Sequence, residues 1–288
     1  MMNKPTILIT GATGMLGSVL SPILAKDFNL LTPAHRDLDI TKADTLALFL
    51  QQKAPDIVVH LASITDLELC ERDHELADLV NVNGTKNIIQ ALPRESVFLF
   101  LSTGAVYTPV NKLTNGFTEN DPCESPNYYG VTKLKAEAFV RAHPNHYILR
   151  TNWLYGGPQD KKFLSKILPN VQNGERVSIV DDVYGSPTST FDLSYMIKDI
   201  LAKNAPFGIY NAVNSGSGSR LDMIMHAATT LGLDTTIIKP ISSDMFPQTL
   251  TRHQYAILNN EKFSHTLYRP REWQEALADY LLTYYSQD

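Results

Sequence analysis

Hydrophobic and polar positions alternate between two periods from the start of the chain. Residues 6–10 form a short apolar, β-branched run, which predicts a buried strand. The run breaks into Gly11, Gly14 and Gly17, and the chain resumes with Leu20, Ile23 and Leu24 at helical spacing. Residues 29–32 predict a second strand. Leu46, Phe49 and Leu50 then mark one face of a helix, with Thr41 as its cap and Asp44 at its third position. Residues 57–60, 96–101 and 146–150 predict three further strands. Between them lie a long helical stretch from about 68 to 92, a loop rich in Pro, Asn and Thr at 108–127, and a helix starting near Tyr128. This alternation predicts an α/β fold around a doubly wound parallel sheet.

Later segments are less regular. Residues 176–180 predict a strand, 181–188 a loop, 190–203 a helix, and 209–213 a strand returning to the sheet. A helix at 220–231, a short strand at 235–239 and a terminal helix from about 272 complete the reading. The expected organisation is a dinucleotide-binding domain at 1–155 plus about 189–213. A smaller C-terminal α/β substrate lobe takes about 156–188 and 214–288.

Composition acts mainly by exclusion. At 288 residues the chain holds one large domain or two modest ones. A net charge of −5 without a Lys/Arg cluster argues against a nucleic-acid partner. Cys70 and Cys123 form no framework and read as free thiols in a reducing compartment. The first residues lead straight into a strand and no apolar stretch approaches membrane length, so a soluble cytoplasmic protein without a signal peptide or membrane partner is expected.

The glycines then take on chemical meaning. A strand turning through glycines into a helix aims backbone N–H groups and the positive helix end at one spot, which suits a pyrophosphate. Past the second strand, an acidic residue would bond a ribose 2′-hydroxyl, whereas arginine accommodates a 2′-phosphate. Arg36 there points to NADP(H), its competing reading being an exposed loop residue. Leu61, Ala62 and Ser63 run off the third strand, where small residues let a cofactor lie against the backbone.

Tyr129 and Lys133 are four apart on a predicted helix and share a face. An ammonium beside a phenol favours the phenolate and lowers the tyrosine pKa, which suits proton exchange during carbonyl reduction by hydride transfer. By itself the pair also fits an exposed surface. Thr103, a hydroxyl just after the fourth strand, adds a group that could hold the substrate oxygen.

Four stretches carry a resemblance that covers nearly the whole chain: residues 10–17, 127–133, 150–156 and 180–188. On these the sequence resembles the extended short-chain dehydrogenase/reductases, a doubly wound (Rossmann) family, and within them the dTDP-4-dehydrorhamnose reductase group. The resemblance implies an NADPH-dependent reductase of a nucleotide-linked 4-keto-6-deoxy sugar, with NADH as the alternative cofactor. Thr103, Tyr129 and Lys133 take the catalytic places, Tyr129 protonating the C4 oxygen and Lys133 also holding the nicotinamide ribose. Cofactor positions are Gly11, Thr13, Gly14, Met15, Leu16, Gly17, Arg36, Asp39, Ile40, Leu61, Ala62, Ser63 and Asn83, the last supporting a proton relay. Substrate positions are Thr65, Gly104, Ala105, Asn152, Trp153 and Arg252, with a core aromatic as the competing reading of Trp153.

The chain also departs from that pattern. Rhamnose-forming reductases commonly carry Asp-Tyr after the catalytic threonine, and here Gly104-Ala105 stands instead. The family's Arg-Pro near the nucleotide appears as Arg252-His253. Two further readings remain: an epimerase or dehydratase of the same extended group, and a non-catalytic NADP-binding regulatory subunit. No metal is expected, because the histidines are scattered, and oligomeric state is left open between monomer and homodimer.

Overall fold

In the computed structural model, which describes residues 4–110, 115–245, 251 and 253–285, the predicted strands assemble into a six-stranded parallel sheet. β1 (Thr6–Thr10) turns into α1 (Met15–Leu24), and β2 (Asn29–Leu31) is followed by α2 (Ala43–Lys53). β3 (Ile57–His60) leads to α3 (Leu67–Arg72), α4 (His74–Ala77) and α5 (Gly84–Ala91). β4 (Val97–Thr103) precedes α6 (Tyr128–Arg141), and β5 (His146–Thr151) follows. Further on come β6 (Leu154–Tyr155), α7 (Phe163–Gln172), β7 (Val177–Val180), β8 (Tyr184–Gly185), β9 (Thr188–Ser189), α8 (Thr190–Ala202) and β10 (Gly208–Asn211). The chain then forms β11 (Gly218–Ser219), α9 (Arg220–Thr230), β12 (Ile238–Ile241), β13 (Tyr255–Ala256), α10 (Glu261–Thr266) and α11 (Trp273–Tyr284).

Strand order in the main sheet is β2-β1-β3-β4-β5-β10. The chain reverses direction between β1 and β3, so the helices that follow cover opposite faces and open a crevice at the carboxyl ends. Both faces are apolar, as a parallel sheet requires. Ile7, Ile9 and Leu149 pack with Leu20 of α1 and Leu193 and Ile197 of α8. Leu8, Val58, Phe98 and Phe100 pack with Ile88 of α5 and Ala136 and Val140 of α6. A second core gathers α7, α9 and α11 over the parallel β7–β12 pair, through Leu168, Ile179, Ile224 and Leu277. Among the described residues, no helix is long and apolar enough to cross a membrane.

Three local expectations are corrected by side-chain hydrogen bonds that compete with regular structure. The helical stretch 68–92 is broken, because Asp66 and Asp73 accept from the backbone N–H of Leu69 and Leu76 and start two short helices, followed by a π-helical turn at Asp78–Asn83. Thr41 is not a cap; its N–H and hydroxyl donate to Asp39, and α2 begins two residues later. The strand at 235–239 begins instead at Ile238, since Asp234 accepts from Thr236 and winds Thr235–Ile237 into a 3-10 turn.

Candidate functional site

The glycine turn fits the spacing that predicted it. Gly11 has φ +73, and a Cβ there would lie 2.7 Å from the Ala62 nitrogen and 2.9 Å from the Leu61 carbonyl carbon. Gly17 is equally confined, 2.6 Å separating its would-be Cβ from Ala12 Cα. Gly14 caps α1 without any side-chain acceptor, leaving the first N–H groups of the helix directed outward. Thr13 and Gly14 are exposed at this mouth and Met15 is half-buried. The Leu16 side chain belongs to the core, so only its backbone faces the turn.

Arg36 lies in open solvent on a turn closed by Asp37 and Leu38 N–H donation to Ala34, its side chain 88% exposed and 3.6 Å from Asp37. Asp39 is turned onto Thr41, and Ile40 is packed against Gly84. Those two positions therefore offer a cofactor backbone rather than side chains.

Between the glycine turn and α6 runs a buried polar chain that the sequence did not announce. Thr85 donates to the Asn81 carbonyl, so its oxygen accepts from His60 Nε2–H at 3.0 Å. His60 Nδ1 is thereby the acceptor of a hydrogen bond that the Thr10 hydroxyl donates at 2.6 Å, while Thr10 accepts from Ala62 N–H. Burial, assisted by the nearby Lys133, pushes the imidazole down to about 3, so it is neutral. Asn81 is saturated: it accepts from Ser63 and Ile64 and donates to Ile64 and Thr132. Asn83, the residue named for the relay, is exposed, and Asn81 occupies the interior beside α6. The available signal was the polar His60 ending an apolar strand.

α6 starts at Tyr128 because Asn127 accepts from Gly130 N–H at 3.1 Å and Glu71 accepts from Tyr128 N–H at 2.9 Å. Lys133, one turn on, is 3% exposed, with Nζ 4.0 Å above the Phe100 ring. Burial pushes its ammonium down to about 7, against the opposing charge of Glu137. Burial raises the Tyr129 phenol above its ordinary value, and a hydrogen bond with Thr103 works the other way. The expected depression of the tyrosine is not seen: desolvation outweighs the Thr103 hydrogen bond, and the phenol stays above its ordinary value. Thr103 also accepts from Ala105 N–H at 3.2 Å. Cys70, buried nearby, has its thiol pushed up to about 11 by desolvation, which makes it a poor nucleophile.

Glu137 continues the same face of α6. Arg150, 1% exposed, donates to both its oxygens at 3.0 and 2.8 Å, and Ser102 and Arg141 add further bonds. Burial opposes ionisation, but these donors prevail and hold the carboxyl below its usual range.

The substrate calls divide. Ala105 is half-buried beside the Thr103–Tyr129 pair, and Thr65 is exposed on the loop after β3. Gly104 faces inward, its would-be Cβ 3.0 Å from Leu258 and 3.4 Å from Asn152. The Asn152 amide donates to the Ala256 carbonyl at 2.5 Å and accepts from Trp153 N–H at 2.9 Å, which ties β5 to β13. Trp153 is half-buried with φ +43, and its ring rests on Gly185. Arg252 lies outside the described residues.

A family profile described as the RmlD substrate binding domain matches residues 5–286. A relative from Streptomyces griseus named dTDP-4-dehydrorhamnose reductase is 32% identical, over 96% of this chain and 93% of its own. A solved dTDP-4-dehydrorhamnose reductase from Clostridium acetobutylicum is 31% identical with a TM-score of 0.89, over 96% and 98% of the two chains. Another from Bacillus anthracis, solved in complex with NADP, is 27% identical with a TM-score of 0.91, over 97% and 99%. Spanned from β1 to α11 by that profile, the chain belongs to the RmlD substrate binding domain family.

Proposed function

We propose that the protein is an NADPH-dependent reductase of a nucleotide-linked 4-keto-6-deoxy sugar, with Tyr129 as proton donor to the C4 oxygen. The observation that carries this reading is the pairing of Tyr129 with Thr103, with buried Lys133 one turn along α6. The reductase relatives, one of them solved with NADP, support the reaction class.

The residues present fit the cofactor. Gly11 leaves a backbone cradle that any Cβ would fill, and the uncapped start of α1 suits a diphosphate. Gly11, Thr13, Gly14, Met15, Leu16 and Gly17 would hold that group, with Leu61, Ala62 and Ser63 as the opposite wall and Arg36 on a 2′-phosphate. When bound, the cofactor supplies the hydride.

Thr103 orients the substrate oxygen. Tyr129, kept protonated by burial, gives its proton to that oxygen. Lys133 stabilises the resulting phenolate, because a negative charge in a desolvated site draws the lysine to its charged form. Ala105 and Trp153 form the sugar-side walls. The main sheet, built from residues within 6–151 and 208–211, supports a nucleotide domain at 1–155 plus 189–213, with 156–188 and 214–288 as the substrate lobe.

The test is NADPH oxidation with dTDP-4-keto-6-deoxy-L-mannose, run beside Tyr129→Phe. Turnover that drops by roughly a hundredfold in the variant, with NADPH affinity kept, is the expected result. Retained turnover removes Tyr129 as the donor, and no wild-type turnover with this and related sugars removes the reductase.

A further inference from the structure

Lys133 is buried, and among the described residues its side chain makes no hydrogen bond or ion pair. The carboxylate one turn on is already taken. Glu137 Oε1 accepts from Ser102 and Arg150, and Oε2 from Arg141 and Arg150, so it attracts the lysine only through space. Cys70 faces the lysine from α3 as a neutral thiol, its pKa pushed up to about 11. His60, on β3, has both ring nitrogens engaged, by Thr10 and Thr85. A buried ammonium left so costs free energy unless something else attracts it.

What the ammonium does meet is a ring. Nζ lies over Phe100, 4.0 Å from its centroid. Phe100 is buried in β4, directly across from His60 in the β3–β4 register, and the two rings stack with centroids 5.7 Å apart and 29° between planes. Alternation along β4 puts Phe98, Phe100 and Ser102 on the face that α6 covers, so the ring is packed where it stands. The electron-rich face of an aromatic ring attracts a cation, most strongly where water is absent. Unlike a carboxylate, it neither neutralises the charge nor accepts the proton, so the three N–H donors of the lysine stay uncommitted.

We propose that Phe100 is a positioning residue for Lys133: its ring face, braced by His60, holds the ammonium one turn of α6 from Tyr129 in place of a counter-ion, and leaves its N–H donors free. The use of that charge, to stabilise a Tyr129 phenolate, rests on the reductase reading. Burial already pushes the lysine down to about 7, so a weaker ring would lower the share of charged lysine near neutral pH. Activity that needs the ammonium would then be lost at a lower pH as pH rises.

The experiment replaces Phe100 site-specifically with mono-, di- and pentafluorophenylalanine, which drain charge from the ring face and change its shape little. The Lys133 titration is followed by NMR in protein carrying carbon-13 at lysine Cε, with Lys133→Met identifying the resonance. The lysine pKa is expected to fall stepwise along the series, by about half a unit or more with the pentafluoro ring. The alkaline limb of kcat for NADPH oxidation should move down with it, because a deprotonated lysine cannot stabilise a phenolate. Phe100→Leu should give a fall at least as large, and the fluorinated series decides alone if that variant fails to fold. A titration that ignores fluorination overturns the proposal, even if Phe100→Leu moves it, since packing then accounts for the effect. A stepwise titration with an unmoved alkaline limb also overturns it, because the ring then serves no step. A wild type that reduces no nucleotide sugar, yet shows the stepwise titration, removes the reductase and leaves Phe100 as the residue that holds the ammonium.

Discussion

Gly130 and Ala105 meet backbone to backbone: a Cβ on Gly130 would lie 2.6 Å from the Ala105 carbonyl oxygen. This contact seats the first turn of α6 against the end of β4, and so brings Tyr129 to Thr103. Gly130→Ala should push the helix back. We expect kcat to fall about tenfold or more, from misplacement of the proposed proton donor, with NADP⁺ affinity nearly unchanged. Overpacking should also lower stability by about 1–3 kcal/mol. Steady-state kinetics and a thermal melt check this; wild-type kcat would show that the contact does not set the geometry.

The Glu137–Arg150 pair joins α6 to β5 with both partners buried. Removing one charge strands the other in a low-dielectric interior. Glu137→Gln should therefore cost about 3–5 kcal/mol, measured by urea denaturation. The double replacement Glu137→Leu/Arg150→Met should recover most of that loss, since two apolar side chains need no partner. A double variant as unstable as the single one would contradict the argument.

His60 makes folding sensitive to mild acid. Its folded pKa of about 3 lies below the ordinary 6.5, so the unfolded chain binds one more proton between those values. The stability is fully present above pH 6.5 and is lost as pH falls below it, by up to about 1.4 kcal/mol per pH unit. His146 and His253, both lowered by burial, add to the slope in the same direction. His60→Gln keeps a donor and an acceptor without titrating, and should flatten the dependence between pH 6 and 4.5 by about one proton. An unchanged slope would mean that the histidine is charged in the fold.

Arg36 projects into solvent, so its replacement should leave the fold alone. Arg36→Ala is expected to weaken NADPH by about tenfold or more, the scale of a lost charge-assisted phosphate contact, and NADH by much less. Equal losses for the two dinucleotides, read from binding isotherms, would remove the 2′-phosphate role.

Local chemistry made much of this legible in advance. Thr6–Thr10 running into Gly11 and Gly14, and Tyr129 four residues before Lys133, are patterns whose consequences unfold within a turn or two of chain. The parallel sheet followed from alternating periods. The resemblance points to Asn83, but the π-helical turn at Asp78–Asn83 leaves Asn83 exposed and turns Asn81 inward, which only the folded helix decides. The protonated state of Tyr129 was likewise out of reach, since spacing reports the nearby ammonium but not the loss of water.

The sequence by itself determined the alternation of the main strands and helices and where backbone can approach backbone. These depend on periodicity and on residue type, and both are read along the chain. Tertiary structure alone decided that Arg220 lies on Trp153, that Glu137 is neutralised by Arg150, and that His60 links Thr10 to Thr85. Each of these partners is set by how helices cross the sheet, and desolvation, which sets the charge states of Tyr129, Lys133 and His60, exists only once the layers have closed.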